Sequence, residues 1–223
     1  MPLPLDVTTT FTRENFIVSG ANSEAVAFIE SWSHWPVAAA ALHGPPHSGK
    51  THLVEVWRAK SGAQVVAAAA LSGSAFAQID RTRPLAIEDV DASLPNPARD
   101  AALFQLLESA TLPAPLLFTG RSPPAQWPVT LPDLASRLAA LVAWPLADPD
   151  DALLAQMADS LFAARQLVVP HPVISQILKA VERSPAALRA FIERLDRKAL
   201  AEKRPITTAL VRDLLGSTEN PPS

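Results

Sequence analysis

Residues Gly44-Pro45-Pro46-His47-Ser48-Gly49-Lys50-Thr51 fit the pattern G-x-x-x-x-G-K-[ST], and few stretches of this length constrain a fold as tightly. The pattern works only as a loop between a buried strand and the first turn of a helix. Its glycines let successive backbone N–H groups face inward as an anion nest, and the helix adds the positive end of its dipole. A lysine at position 50 reaches the β- and γ-phosphates, and the Thr51 hydroxyl can hold a magnesium ion. Pro46, His47, Ser48, Gly49, Lys50, Thr51 and His52 are therefore the candidate contacts to a nucleoside phosphate. The flanks meet the requirement. Val37 to His43 reads as a short buried parallel strand, and Leu53, Val54 and Trp57 have the spacing of an apolar helix stripe.

Length and composition narrow the class. A chain of 223 residues suits one domain, or a domain with a subdomain. A net charge of −3 argues against a dominant electrostatic hold on nucleic acid. Cysteine is absent, which excludes disulfides and thiolate metal sites and fits a cytoplasmic setting. The N-terminus lacks a basic start followed by an apolar run, so no signal peptide is expected, and no apolar run is long enough to span a membrane.

The rest of the chain alternates strands and helices. Residues 1–10 read as a tail, and Phe11 to Val18 as an extended stretch leading to the site. Asn22 or Ser23 can cap a helix running to about Trp35. Gln64 to Ala67, Pro84 to Asp89 and Pro115 to Thr119 read as strands, with Leu141 to Trp144 as a fifth. Ser72 to Ile79 reads as a short helix, and Asn96-Pro97 opens a longer one reaching about Ala110. This order predicts an α/β fold, a parallel sheet sandwiched by helices, over 11–147. Ligands then gather at the carboxyl ends of the strands. From Asp148 to Gly216 the pattern is helical only, a small C-terminal subdomain, followed by a tail over 217–223.

Phosphoryl transfer calls for acids at a strand end to hold a metal ion and orient water. Glu88 and Asp89 stand directly after Leu85-Ala86-Ile87, with Asp91 as a spare candidate. The five histidines show no recurring ligand spacing. Basic residues of the last third, Arg183 to Arg204, interleave with acids as on a solvated helix face.

With these residues placed, the chain resembles the AAA+ ATPases of the DnaA clade, and within it the Hda-like regulators. Leu131-Pro132-Asp133-Leu134-Ala135-Ser136-Arg137-Leu138 is similar to the segment carrying the arginine finger, which assigns that role in trans to Arg137. The plain alternative for Arg137 is a surface salt bridge. Ala187-Leu188-Arg189-Ala190-Phe191 is similar to the lid segment with the sensor-2 arginine, assigning it to Arg189. Phe118-Thr119-Gly120-Arg121-Ser122-Pro123-Pro124 resembles the sensor-1 turn, with Thr119 as sensor and Arg121 where the family usually has an acid. Phe16, Ile17 and Val18 match the segment lining the adenine pocket, of which Phe16 and Val18 are the candidate contacts. Glu88 departs from the family's usual aspartate. Leu3-Pro4-Leu5 matches the end of the sliding-clamp-binding peptide of Hda-like proteins. As in those proteins, the helix-turn-helix domain that follows the lid in DnaA is expected to be missing here.

The resemblance implies an AAA+ P-loop fold with a C-terminal helical lid, ADP or ATP as ligand, and Mg2+ held through Thr51 and Glu88. It implies DnaA and the sliding clamp as partners, DNA reached indirectly through the clamp, a homodimer as a candidate oligomer, and no membrane. The implied activity is negative regulation of replication initiation: promotion of hydrolysis of ATP held by DnaA. The rivals are an autonomous ATPase of helicase-loader type and a DNA-tethering adaptor.

Overall fold

The computed structural model describes residues 11–216 other than Asn15, Ala21 and Ser93. Leu3, Pro4 and Leu5 lie outside the described residues. The chain forms two compact units, Met1–Ala147 and Asp148–Ser223.

The first unit is built on five parallel strands, β1 (Ala39–His43), β2 (Gln64–Ala67), β3 (Leu85–Glu88), β4 (Leu116–Gly120) and β5 (Val142–Pro145), in the order β2-β3-β4-β1-β5. Its helices are α1 (Ser23–Glu30), α2 (Lys50–Ser61), α3 (Gly73–Ala77), α4 (Pro97–Ser109) and α5 (Pro132–Ala139). The three inner strands are apolar on both faces, as a covered parallel sheet requires. Ala40, Leu42, Ala86 and Leu117 turn to the core shared with α1 and α2, around Ile29, Val54 and Trp57. Ala41, Leu85, Ile87, Leu116 and Phe118 turn to the opposite core, with Leu103 and Leu106 of α4 and Leu134 and Leu138 of α5. This alternation is the period-two pleat read out residue by residue.

Three local expectations are corrected. The first helix ends at Glu30, and Trp32–His34 form a separate 3-10 turn rather than its last turn. Asn22 does not cap that helix. Its side chain accepts from Ser19 N (2.9 Å) and donates to Ile17 O (3.1 Å), so it shapes the preceding loop. Phe11 to Val18 contains no strand among its described residues, and a turn closes it from Phe16 N to Arg13 O at 3.2 Å.

The second unit holds α6 (Asp151–Ala163), α7 (His171–Ala180), α8 (Pro185–Glu202) and α9 (Thr208–Gly216) around Phe162, Ile177, Ile192 and Leu210. Asp150 caps α6 and Ser184 caps α8 through their side-chain oxygens. Among the described residues no helix is long and apolar enough to cross a membrane.

Candidate nucleotide-phosphate site

In the strand order, the chain leaves β1 towards β2 and passes from β4 across β1 to β5. The carboxyl ends of β1 and β4 therefore flank the switch point at which open α/β sheets place ligands. The loop after β1 and the turn after β4 meet there: Gly44 N donates to Gly120 O at 3.2 Å.

The loop closes tightly, with Ser48 N on Pro45 O at 3.3 Å and His47 in the left-handed region at φ 67°. Gly49 follows at φ 101°, and a Cβ there would stand 2.9 Å from Cε2 of the buried Phe16 ring. Only glycine satisfies both conditions. Lys50, the first residue of α2, is 8% exposed and curls back into the loop. Its Nζ donates to Gly44 O (2.6 Å) and Pro45 O (2.7 Å), and contacts Ser48 Oγ at 3.4 Å. Burial lowers its pKa; the carboxylates of Asp89 and Asp91 oppose that shift and the Arg121 guanidinium adds to it.

His52, one residue past Thr51, anchors the N-terminal segment. Its Nε2 lies 2.8 Å from Thr12 O, and its ring meets Phe11 and Phe16 edge-on at 5.2 and 5.0 Å. The imidazole is thus packed, and what it offers an anion is its backbone N–H at the helix start. Phe16 is buried beneath Gly49, whereas Val18 is exposed.

Glu88 and Asp89 sit at the end of β3, with Asp89 in the left-handed region at φ 58°. Burial pushes the Glu88 carboxyl up; a hydrogen bond with the Thr51 side chain works the other way, and Asp89 and Glu55 add like charge. Thr51 and Glu88 thus stand together as hard oxygen donors, the chemistry that suits Mg2+. Among the described residues no three His, Cys, Asp or Glu side chains converge as a metal-holding group. An ion here needs the phosphates themselves as further ligands, which is how Mg2+ is usually held. Thr119 is buried, and its Oγ1 accepts from Asp89 N at 3.1 Å, linking the ends of β3 and β4.

Asp91, the spare acid, is committed elsewhere. Its carboxylate accepts from Arg121 N (2.9 Å), Ser122 N (2.8 Å) and Ser122 Oγ (2.6 Å), holding the turn after β4. Burial opposes ionisation of Asp91, and these donors outweigh it and lower its pKa.

Sequence reasoning missed a pair that supports this end of the sheet. Arg99 and Asp100 are 2% and 0% exposed. Arg99 donates to Asp100 Oδ1 through Nε (3.0 Å) and Nη2 (2.8 Å), and reaches Pro128 O at 2.7 Å. Asp100 Oδ2 accepts from Thr130 N (2.6 Å) and Thr130 Oγ1 (2.7 Å), just before α5. The available signal was that Arg99 lies four residues before Leu103, inside the apolar stripe of α4.

Arg137 lies on α5, beside the buried Leu138 and itself 47% exposed. It forms an ion pair with Glu108 of α4, and its guanidinium lies 5.0 Å from the centroid of the Phe104 ring. Arg189 lies half-buried on α8, in the helical unit.

No protein-family model matches the chain. Among solved structures it is similar to domain III of the Thermotoga maritima replication initiation protein DnaA, with TM-score 0.75 and 19% identity over 99% of this chain and 100% of that one. It is also similar to AMPPCP-bound DnaA from Aquifex aeolicus, with TM-score 0.73 and 15% identity, covering 86% of this chain and 67% of that one. The Holliday junction branch migration motor RuvB of Thermotoga maritima matches with TM-score 0.72 and 16% identity over 92% of this chain and 71% of that one. Five parallel strands between two helical layers, a phosphate-type loop at the switch point and a following helical unit give this chain the α/β AAA+ P-loop fold seen in DnaA domain III and RuvB.

Proposed function

We propose that the chain binds ADP or ATP with Mg2+ at the Gly44–Thr51 loop and acts as an Hda-like negative regulator of replication initiation. Residues Pro46 to His52 hold the phosphates, Thr51 and Glu88 take the ion, and Phe16 and Val18 border the base. Bound there, the ion would screen the phosphate charge. The observation that carries the nucleotide reading is Lys50, buried with its ammonium on the loop's own carbonyl groups. A buried ammonium held only by loop carbonyl and hydroxyl oxygens at a helix start is a cation that an anionic phosphate can take over. An AMPPCP-bound DnaA among the similar structures adds support.

In this reading the catalytic target is a partner's nucleotide. The chain docks on the sliding clamp through Leu3-Pro4-Leu5 and presents Arg137 to ATP held by DnaA. Arg189 takes the sensor-2 role that its segment resembles, and Thr119 the sensor-1 role at the β4 end. What favours this over an autonomous ATPase is the deployment of the acids. Asp91 is consumed by the Arg121–Ser122 turn, and Glu88 replaces the usual aspartate. DNA is reached through the clamp, in keeping with the net charge of −3.

The test is hydrolysis of DnaA-bound ATP with clamp, DNA and either the wild-type chain or Arg137→Ala. Fingers are worth about 10³–10⁵-fold, so stimulation should vanish while ADP binding and clamp binding persist. A folded Arg137→Ala protein that stimulates at the wild-type rate would refute the regulatory reading.

A further inference from the structure

We infer that Glu108 and Phe104 form a cradle on α4 that restrains Arg137, and that the finger works only by exchanging Glu108 for a partner's phosphate. The inference rests on the finger reading of Arg137 given above. Phe104 and Glu108 are one helical turn apart and so share a face of α4. That face meets α5, where Leu134 and Leu138 are buried and Arg137 stands at the rim of their stripe. The ring supports the guanidinium from one side at 5.0 Å, and the Glu108 carboxylate pairs with its Nη2.

Charge decides what this contact does. A guanidinium that engages a triphosphate while keeping a carboxylate brings that carboxylate against the phosphate as a like charge, which weakens the engagement. Glu108 and the partner's nucleotide therefore compete for the Nη2 donors and for the charge of Arg137. The side chains of Arg137 and Glu108 are 47% and 48% exposed, so water screens the pair and the restraint is shallow. A shallow restraint suits the role: it keeps a long, flexible side chain in one place and yields when a dianionic group arrives. Glu108 is thus a positioning residue for Arg137, opposing its release, and Phe104 is the surface it rests on.

Glu108→Gln removes the competing charge and keeps the shape. Two measurements on the full chain read the result. The first is labelling of Arg137 by phenylglyoxal, followed by peptide mass spectrometry, which needs no partner. The second is stimulated hydrolysis of DnaA-bound ATP. Glu108→Gln should raise both by roughly two- to five-fold, the range expected for an exposed ion pair, and Glu108→Asp should restore the wild-type values. A general structural effect of Glu108 would shift the melting temperature and the labelling of arginines away from α5, and Glu108→Gln should leave both unchanged. Unchanged labelling in Glu108→Gln, or stimulation that falls rather than rises, overturns the restraint and leaves the finger assignment standing. Full stimulation by Arg137→Ala itself overturns the finger assignment, and this inference with it.

Discussion

Asp100→Asn is the substitution whose cost follows most directly from the geometry. Asp100 is fully buried and its two oxygens take four hydrogen bonds, two from Arg99 and two from Thr130. Asparagine keeps the shape, but its NH2 group must face the two donors of one side, and the buried Arg99 loses the carboxylate charge beside it. Breaking a buried pair from one side costs about 3–5 kcal/mol. At about 2–4 °C per kcal/mol for a protein of this size, the melting temperature should fall by roughly 6–20 °C. Tryptophan fluorescence is the right assay, because Trp32, Trp35, Trp57, Trp127 and Trp144 are all in the first unit, and the signal follows that unit alone. Burial opposes ionisation of Asp100, yet the Thr130 and Arg99 donors hold its carboxyl below the usual aspartate range. A depressed folded-state pKa means stability that is present above the unfolded-state value and lost as pH falls through the folded one. The wild-type advantage should therefore persist at neutral pH and fade only in strong acid. Replacing both partners, as in Arg99→Met with Asp100→Leu, removes the orphaned charge but leaves Thr130 and Pro128 O without their partners, so it should recover only part of the loss. A loss under about 1 kcal/mol for Asp100→Asn, or a double variant as unstable as the single, would refute the reasoning.

The remaining predictions concern the ligand end of the sheet. Glu88 has a raised folded-state pKa, chiefly from burial, so its contribution is fully present below the unfolded-state value and is lost as pH rises through the folded one. Glu88→Gln should therefore be at least as stable as wild type near neutrality while binding nucleotide with less dependence on Mg2+; a less stable variant at neutral pH would contradict this. Gly120→Ala should cost about 1–3 kcal/mol by overpacking, because a Cβ there would stand 2.5 Å from Trp127 Nε1, which itself donates to Ser122 O. An unchanged unfolding midpoint in that variant would show that the turn has more room than its geometry implies.

Much of the fold could be read from local pattern, because the inner strands are unbroken apolar runs and the phosphate-type loop demands a strand before it and a helix after it. The limits of β2 match the pattern residue for residue, Gln64 to Ala67. What escaped depends on side chains meeting across the chain. Nothing local says that Asn22 folds back onto Ile17, or that Ser31 ends α1 one turn early. Asp91 resembles a spare catalytic acid until the turn at Arg121 and Ser122, about thirty residues on, is seen to occupy it. The partner of Arg137, Glu108, and the partners of Arg99 are likewise tertiary facts that periodicity does not carry.

The central claim is that a nucleoside phosphate occupies the Gly44–Thr51 loop through Lys50. Calorimetric titration of ADP with Mg2+ into the wild-type chain and into Lys50→Ala tests it most directly, with a thermal melt of both proteins as the control for folding. Losing charge-assisted hydrogen bonds to the phosphates should weaken binding by at least about 100-fold, with the folded fraction unchanged. Equal affinity of the two proteins, or no binding by the wild type, would contradict the account.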